Sequence, residues 1–143
     1  TLKEALYYFD RMVAKYQPSW VFMYEGDNDL TSGQSPEEIT TAYEEFSARL
    51  AKQVPGAKLV FVYARPSLAR EALKAKQQDL NQRITAIAAK KKGHFVIDMY
   101  SPFYNPDGTL MQDIFVADRL HLNEKGYVIF AKQIQNFIHQ HAK

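Results

Sequence analysis

The chain has 143 residues, 46% of them hydrophobic and 24% charged, with 18 Lys and Arg against 16 Asp and Glu. That length suits a single domain over residues 1–143 with a core of its own, and excludes disordered and collagen-like classes. A net charge of +2 gives no electrostatic ground for a nucleic-acid or anionic-membrane partner, and the absence of cysteine excludes a disulfide framework, a thiolate zinc site and a cysteine nucleophile while leaving localisation unknown.

Thr1 and Glu4 form a capping-box pattern before apolar residues at Leu2, Ala5, Leu6, Phe9, Met12, Val13 and Tyr16. Their spacing predicts one helix ending near Gln17-Pro18 with these side chains on its buried face. Because the chain opens at Thr1, within that helix cap, an upstream segment is expected. Trp20-Val21-Phe22-Met23-Tyr24 is too short for a helix and rich in strand formers, and reads as a strand buried on both faces. Glu25-Gly26-Asp27-Asn28-Asp29 follows as a polar loop at its carboxyl end.

Ser35-Pro36-Glu37-Glu38 supplies an N-cap, a proline at the first helical position and a reciprocal glutamate. Ile39, Ala42, Tyr43, Phe46 and Leu50 then give the inner face of a helix ending near Gln53. Leu59-Val60-Phe61-Val62-Tyr63 is a second buried strand, followed by the turn Ala64-Arg65-Pro66-Ser67. Leu73, Leu80, Ile84, Ile87 and Ala88 carry a helix to Lys92, where Gly93 serves as a left-handed terminator. Phe95-Val96-Ile97-Asp98 is a third strand, and Asn105-Pro106-Asp107-Gly108 is a turn within a long irregular stretch. The last helix starts near Asn123 and is expected to bury Tyr127, Phe130, Ala131, Ile134, Phe137 and Ile138.

Such alternation predicts an α/β fold with a parallel sheet between helical layers. Right-handed crossovers place every strand's carboxyl end on one rim, where open α/β sheets bind ligands. No apolar run approaches the ~20 residues that span a bilayer.

Two polar segments carry candidate chemistry. Gly26-Asp27-Asn28-Asp29 holds an amide and two carboxylates behind a glycine that permits an unusual turn. Asp118-Arg119-Leu120-His121 sets a carboxylate three residues before an imidazole, so that it can hold one ring nitrogen and leave the other free as a base. His94, His139 and His141 lack such company and read as structural or solvated. Asp98 is the one further strand-end carboxylate that a magnesium site at the acidic loop would need.

A Gly-x-Asn-Asp loop directly after a buried strand, then Asp118 to His121 and Leu122-Asn123-Glu124-Lys125-Gly126-Tyr127 leading into the last helix, resembles the third and fifth sequence blocks of the SGNH, or GDSL-type, serine hydrolases. The resemblance runs through essentially the whole chain. It implies a flavodoxin-like, three-layer α/β fold, truncated at the N-terminus, and hydrolysis of small carboxylic or O-acetyl esters without a cofactor or metal. Carried over by position, Asn28 is the amide donor of the oxyanion hole, Gly26 the residue that lets its loop turn, His121 the general base and Asp118 its orienting partner. Asp29 holds the loop.

The family pattern also calls for a Gly-Asp-Ser-like nucleophile segment and a glycine after the second strand, and neither is present. Ser19, Ser32, Ser35, Ser47, Ser67 and Ser101 lie in caps, turns or helices. The chain is therefore expected to be the C-terminal part of such a hydrolase, inactive alone, with an uncovered strand edge that favours self-association or pairing with the missing N-terminal segment. Substrate contacts are expected from Ala64 to Leu73 and from Ser101 to Phe115, where Tyr100, Phe103, Tyr104 and Phe115 either line an acyl pocket or, the commoner role of loop aromatics, anchor the loop to the core, and Arg65 and Arg70 either meet an anionic substrate or, the preferred reading, are solvated or ion-paired. The alternative is a non-catalytic α/β binding or interaction module.

Overall fold

The computed structural model describes residues 1–141. Three parallel strands, β1 (Trp20–Met23), β2 (Lys58–Val62) and β3 (His94–Ile97), form a sheet in the order β1-β2-β3. Register runs Val21 to Leu59 and Phe61 to Val96. Five helices interleave with or precede the strands: α1 (Leu2–Tyr7), α2 (Phe9–Met12), α3 (Asp27–Thr31), α4 (Pro36–Gln53) and α5 (Lys74–Ala88). A sixth, α6 (Glu124–His141), closes the described chain.

Period-two alternation in β2 divides the core. Leu59 and Phe61 enter a cluster with Leu2, Phe9, Ile39, Tyr43, Phe46, Leu80 and Ile84, from α1, α2, α4 and α5. Val60 and Val62 face the opposite side, where Ile97, Met99, Phe103, Ile114, Leu122 and Phe137 pack. This is the expected three-layer α/β arrangement. Because all three strands are parallel, the segments after Met23, Val62 and Ile97 emerge on one rim.

Several expectations are corrected. The first helix is broken: Tyr8 takes φ −91° and ψ 8°, and residues Ala14–Tyr16 wind more tightly as a 3₁₀ turn. The bend rotates the downstream face, leaving Met12 and Tyr16 exposed. Asp27 to Thr31 forms a short helix rather than a loop, with Gly26 before its first turn. The helix expected to reach Lys92 ends at Ala88, and Lys90 and Lys91 close it with short-range bonds to the carbonyls of Ile87 and Ala88. Gly93 does take the left-handed conformation, at φ 79°.

β1 is not buried on both faces: Phe22 is 41% exposed. It is the end strand of the described sheet, so its outer flank lacks a neighbour. Phe137 is buried by edge-on contacts with Trp20, Phe22 and Phe95, at centroid separations of 5.8, 5.8 and 5.7 Å. Tyr127, Ala131 and Ile138, expected inside, are exposed, and Phe130 and Ile134 are half-buried.

Candidate active site

Gly26 opens the site with φ 112°, a conformation that side chains resist. A Cβ there would lie 2.8 Å from Leu80 Cδ2, so the loop also sits hard against α5. Asp29, the residue expected to hold this loop, is fully buried. Its carboxylate accepts from the amides of Gly26 at 3.1 Å and Leu2 at 3.0 Å, tying the loop to the first turn of α1. Asn28, in the first turn of α3, is exposed on the rim.

The second element is a tight hairpin from Phe115 to Leu122. Val116 donates to the carbonyl of His121 and Arg119 to that of Val116, both at 2.9 Å. Arg119 is held at φ 61°, a backbone state rare for a side-chain-bearing residue. Asn123 anchors the hairpin: its Nδ2 donates to the carbonyls of Asp113 and Phe115, and its Oδ1 accepts from the amide of Gly126 at the start of α6.

Within this hairpin Asp118 Oδ1 accepts from the amides of Leu120 (2.8 Å) and His121 (2.9 Å), while Oδ2 lies 2.6 Å from His121 Nδ1. The bond to the His121 ring, with the two backbone donors behind it, holds the Asp118 carboxyl down at about 2. With Nδ1 occupied, Nε2 is the ring nitrogen left for chemistry.

Asn28 and His121 come together on one cavity of about 370 Å³, beside Tyr24, Arg65 and Arg70. Burial raises the pKa of Tyr24, with Arg65 opposing it, so its hydroxyl stays protonated at neutral pH. Arg65, buried, donates to the carbonyl of Leu120 at 2.7 Å. Arg70 forms an ion pair with Asp27 and donates to Asn28 Oδ1 at 3.0 Å. Both arginines are thus engaged within the protein. Leu120, Asp27 and Asn28 lie 42 to 55 positions from the arginines they meet, a separation at which local sequence does not show the pairing.

Other expectations are only partly met. The stretch from Ala64 to Leu73 contributes Arg65 and Arg70 to this cavity, whereas the stretch from Ser101 to Phe115 does not line it. Tyr104, Thr109 and Leu110 instead border a neighbouring cavity, also about 370 Å³, together with Ser67, whose buried hydroxyl has no partner among the described residues. Phe103 and Phe115 are core residues rather than pocket walls, because their side chains fill the space under β2 and β3. Asp98 lies on a separate cavity with Tyr100, its Oδ1 accepting from the amides of Tyr100 and Ser101. It does not join Asp27 and Asp29. Ser35 caps α4, accepting from the amide of Glu38.

The fold is that of the SGNH-type hydrolases. It is similar to a carbohydrate esterase family 3 protein from Talaromyces cellulolyticus, with a TM-score of 0.81 at 18% identity over 97% of this chain and 66% of that one. It is likewise similar to a catalytic mutant of an acetylxylan esterase from Geobacillus stearothermophilus, with a TM-score of 0.78 at 15% identity over 95% and 66% of the two chains. A Bacteroides fragilis protein described as an acylhydrolase superposes with a TM-score of 0.80 at 22% identity, covering 100% of this chain and 72% of its own. Residues 1–129 match the GDSL-like Lipase/Acylhydrolase family, and the chain belongs to it. No curated protein matches the chain. The chain spans about two-thirds or less of the length of several structural relatives, 59% in one from Streptococcus pneumonia. Among the described residues no helix is long and apolar enough to cross a membrane.

Proposed function

We propose that this chain provides the base and amide half of a serine ester hydrolase acting on small carboxylic or O-acetyl esters. The observation that carries the reading is the shared cavity: His121, oriented through Nδ1 by Asp118, and Asn28, from the first turn of α3 more than 90 positions away in the same sequence, line one space of about 370 Å³.

In this reading His121 Nε2 takes the proton of a serine hydroxyl as that oxygen attacks the ester carbonyl, then returns it to the departing alcohol. Asp118 stays ionised, fixes the ring tautomer and stabilises the imidazolium. Asn28 Nδ2 donates to the developing oxyanion, a role worth about 3–4 kcal/mol in comparable sites. No Gly-Asp-Ser segment occurs in the sequence. The nucleophile is therefore assigned to a segment outside these 143 residues, packing as part of the same domain along the free flank of β1. The relatives described as acetylxylan and carbohydrate esterases favour O-acetyl groups on saccharides as the substrate class.

Hydrolysis of p-nitrophenyl acetate by the polypeptide that unites this chain with its serine segment tests the proposal. The united protein turns over, His121→Ala silences it, and the 143-residue chain alone is inert. Turnover by the chain alone, or a His121→Ala variant as active as its parent, overturns it.

A further inference from the structure

Resting on that reading, we infer that Arg70 is a positioning residue that dictates which end of the Asn28 amide faces the cavity. The geometry forms a relay. Gln77, 1% exposed, donates through Nε2 to Asp27 Oδ1 at 2.9 Å and to the carbonyl of Arg65 at 3.1 Å. Asp27 Oδ2 pairs with Arg70 Nη1, and Arg70 Nη2 donates to Asn28 Oδ1 at 3.0 Å.

An asparagine amide is nearly symmetric in shape, and an exposed one can turn either its oxygen or its nitrogen to a ligand. For an oxyanion the two faces are opposite in effect: the N–H attracts the charge and the carbonyl oxygen repels it. A guanidinium has five N–H groups and no acceptor, so only Oδ1 of Asn28 can meet Arg70. Nδ2, on the other branch of the amide, is then the group left to the cavity. The charge-assisted bond also draws electron density toward Oδ1, which makes the remaining N–H groups better donors.

Asp27 and Gln77 complete the device. Asp27 neutralises Arg70 and fixes its fork, so that the arginine is held to Asn28 instead of swinging onto the substrate's anionic centre itself. Gln77, buried on α5 and bonded to the carbonyl of Arg65 in the turn after β2, holds the relay to both that turn and the helix. The consequence is an oxyanion donor whose polarity is imposed before substrate arrives.

Two measurements test this on the united polypeptide. In p-nitrophenyl acetate hydrolysis, Arg70→Met lowers kcat about tenfold with KM nearly unchanged, and adding it to Asn28→Ala produces no further loss. In ¹⁵N-resolved spectra, the two Asn28 side-chain amide protons of the parent are shifted away from the positions of a free asparagine, and Arg70→Met returns both toward those positions as rotation about Cβ–Cγ is released. A rise in KM at unchanged kcat, or full additivity with Asn28→Ala, makes Arg70 a substrate contact and overturns the inference, as does an Asn28 amide signal indifferent to Arg70. An Asn28→Ala variant with full activity instead overturns the oxyanion assignment, and the amide spectrum still decides whether Arg70 orients the side chain.

Discussion

Arg65 Nη2 donates to the carbonyl oxygen of Leu120 at 2.7 Å, joining residues 55 positions apart. The bond crosses from the turn after β2 to the residue immediately before His121. Arg65 is buried and donates a second, longer bond to the carbonyl of Pro66. A buried guanidinium that serves backbone carbonyls acts as a strut, and a bond of this charged type contributes about 1.5–3 kcal/mol. Arg65→Met, which keeps the apolar stem, is expected to lower unfolding free energy by that amount in urea titration and to speed amide exchange at Leu120 and His121. Arg65→Lys restores little, because a single ammonium does not reproduce the planar fork. Unchanged exchange at His121 in Arg65→Met would show that the hairpin stands without the strut.

Asp118 carries the clearest electrostatic signature of the site. Its carboxyl is depressed to about 2 from an ordinary 3.8 by the His121 ring bond and the two backbone amides. A depressed carboxyl stabilises the fold above its ordinary value and surrenders that contribution as pH falls through the depressed one. The window therefore runs from about pH 4 down to about pH 2. Carboxyl ¹³C shifts should place the Asp118 midpoint near the lower figure, and His121→Ala should move it back toward 3.8. A midpoint indifferent to His121→Ala would mean that the imidazole is not its partner in solution. In the united enzyme Asp118→Asn is expected to lower kcat by about 10²–10⁴-fold through loss of the ring's tautomer and charge control.

The layered fold was legible because short apolar runs such as Leu59 to Val62 alternate with helical spacings, and a run buried on both faces leaves little choice but a covered parallel strand. The helix start at Ser35 was equally readable, since its cap and the reciprocal Glu38 are neighbours in sequence. Asn28, Asp118 and His121 stood out because each lies in a contiguous polar motif. Arg70 was readable as an ion-paired arginine, but not which residues it pairs with, and Gln77 did not stand out at all: what makes them part of the site is contact with residues 42 and 50 positions away. The buried face of α6 was misjudged for a related reason. Helical spacing shows which side is apolar but not which of its residues the sheet covers: Phe137 is buried, whereas Tyr127 and Ile138 are exposed.

Gly26 separates two sources of strain. Its φ of 112° excludes a side chain on backbone grounds, and the contact a Cβ would make is with the far end of Leu80, which can shift. Gly26→Ala is expected to destabilise the protein by about 1–3 kcal/mol. Relieving the contact with Leu80→Ala in the same chain should recover almost none of that loss beyond what the Leu80 cavity itself costs. Full recovery in the double variant would assign the strain to packing instead. In either case the Asn28 amide, two residues on, is expected to lose its fixed orientation in the Gly26→Ala spectrum.

His94 supplies the pH dependence at the opposite end of the sheet. Its Nδ1 accepts from the Tyr43 hydroxyl at 2.9 Å, which burial keeps protonated by raising its pKa to about 12. Nε2 lies 3.2 Å from Ser47 Oγ, so the neutral Nε2–H tautomer satisfies both contacts. Burial, with Lys91 nearby, pushes the His94 pKa below its ordinary 6.5. The unfolded chain then binds the proton more readily than the folded one, and stability rises with pH across that interval. Melting temperature is therefore expected to fall as pH drops below about 6.5, levelling off once pH is below the depressed value. His94→Gln should flatten this segment of the profile while leaving the low-pH loss at Asp118 in place. A profile just as steep in His94→Gln would assign the titration to another group.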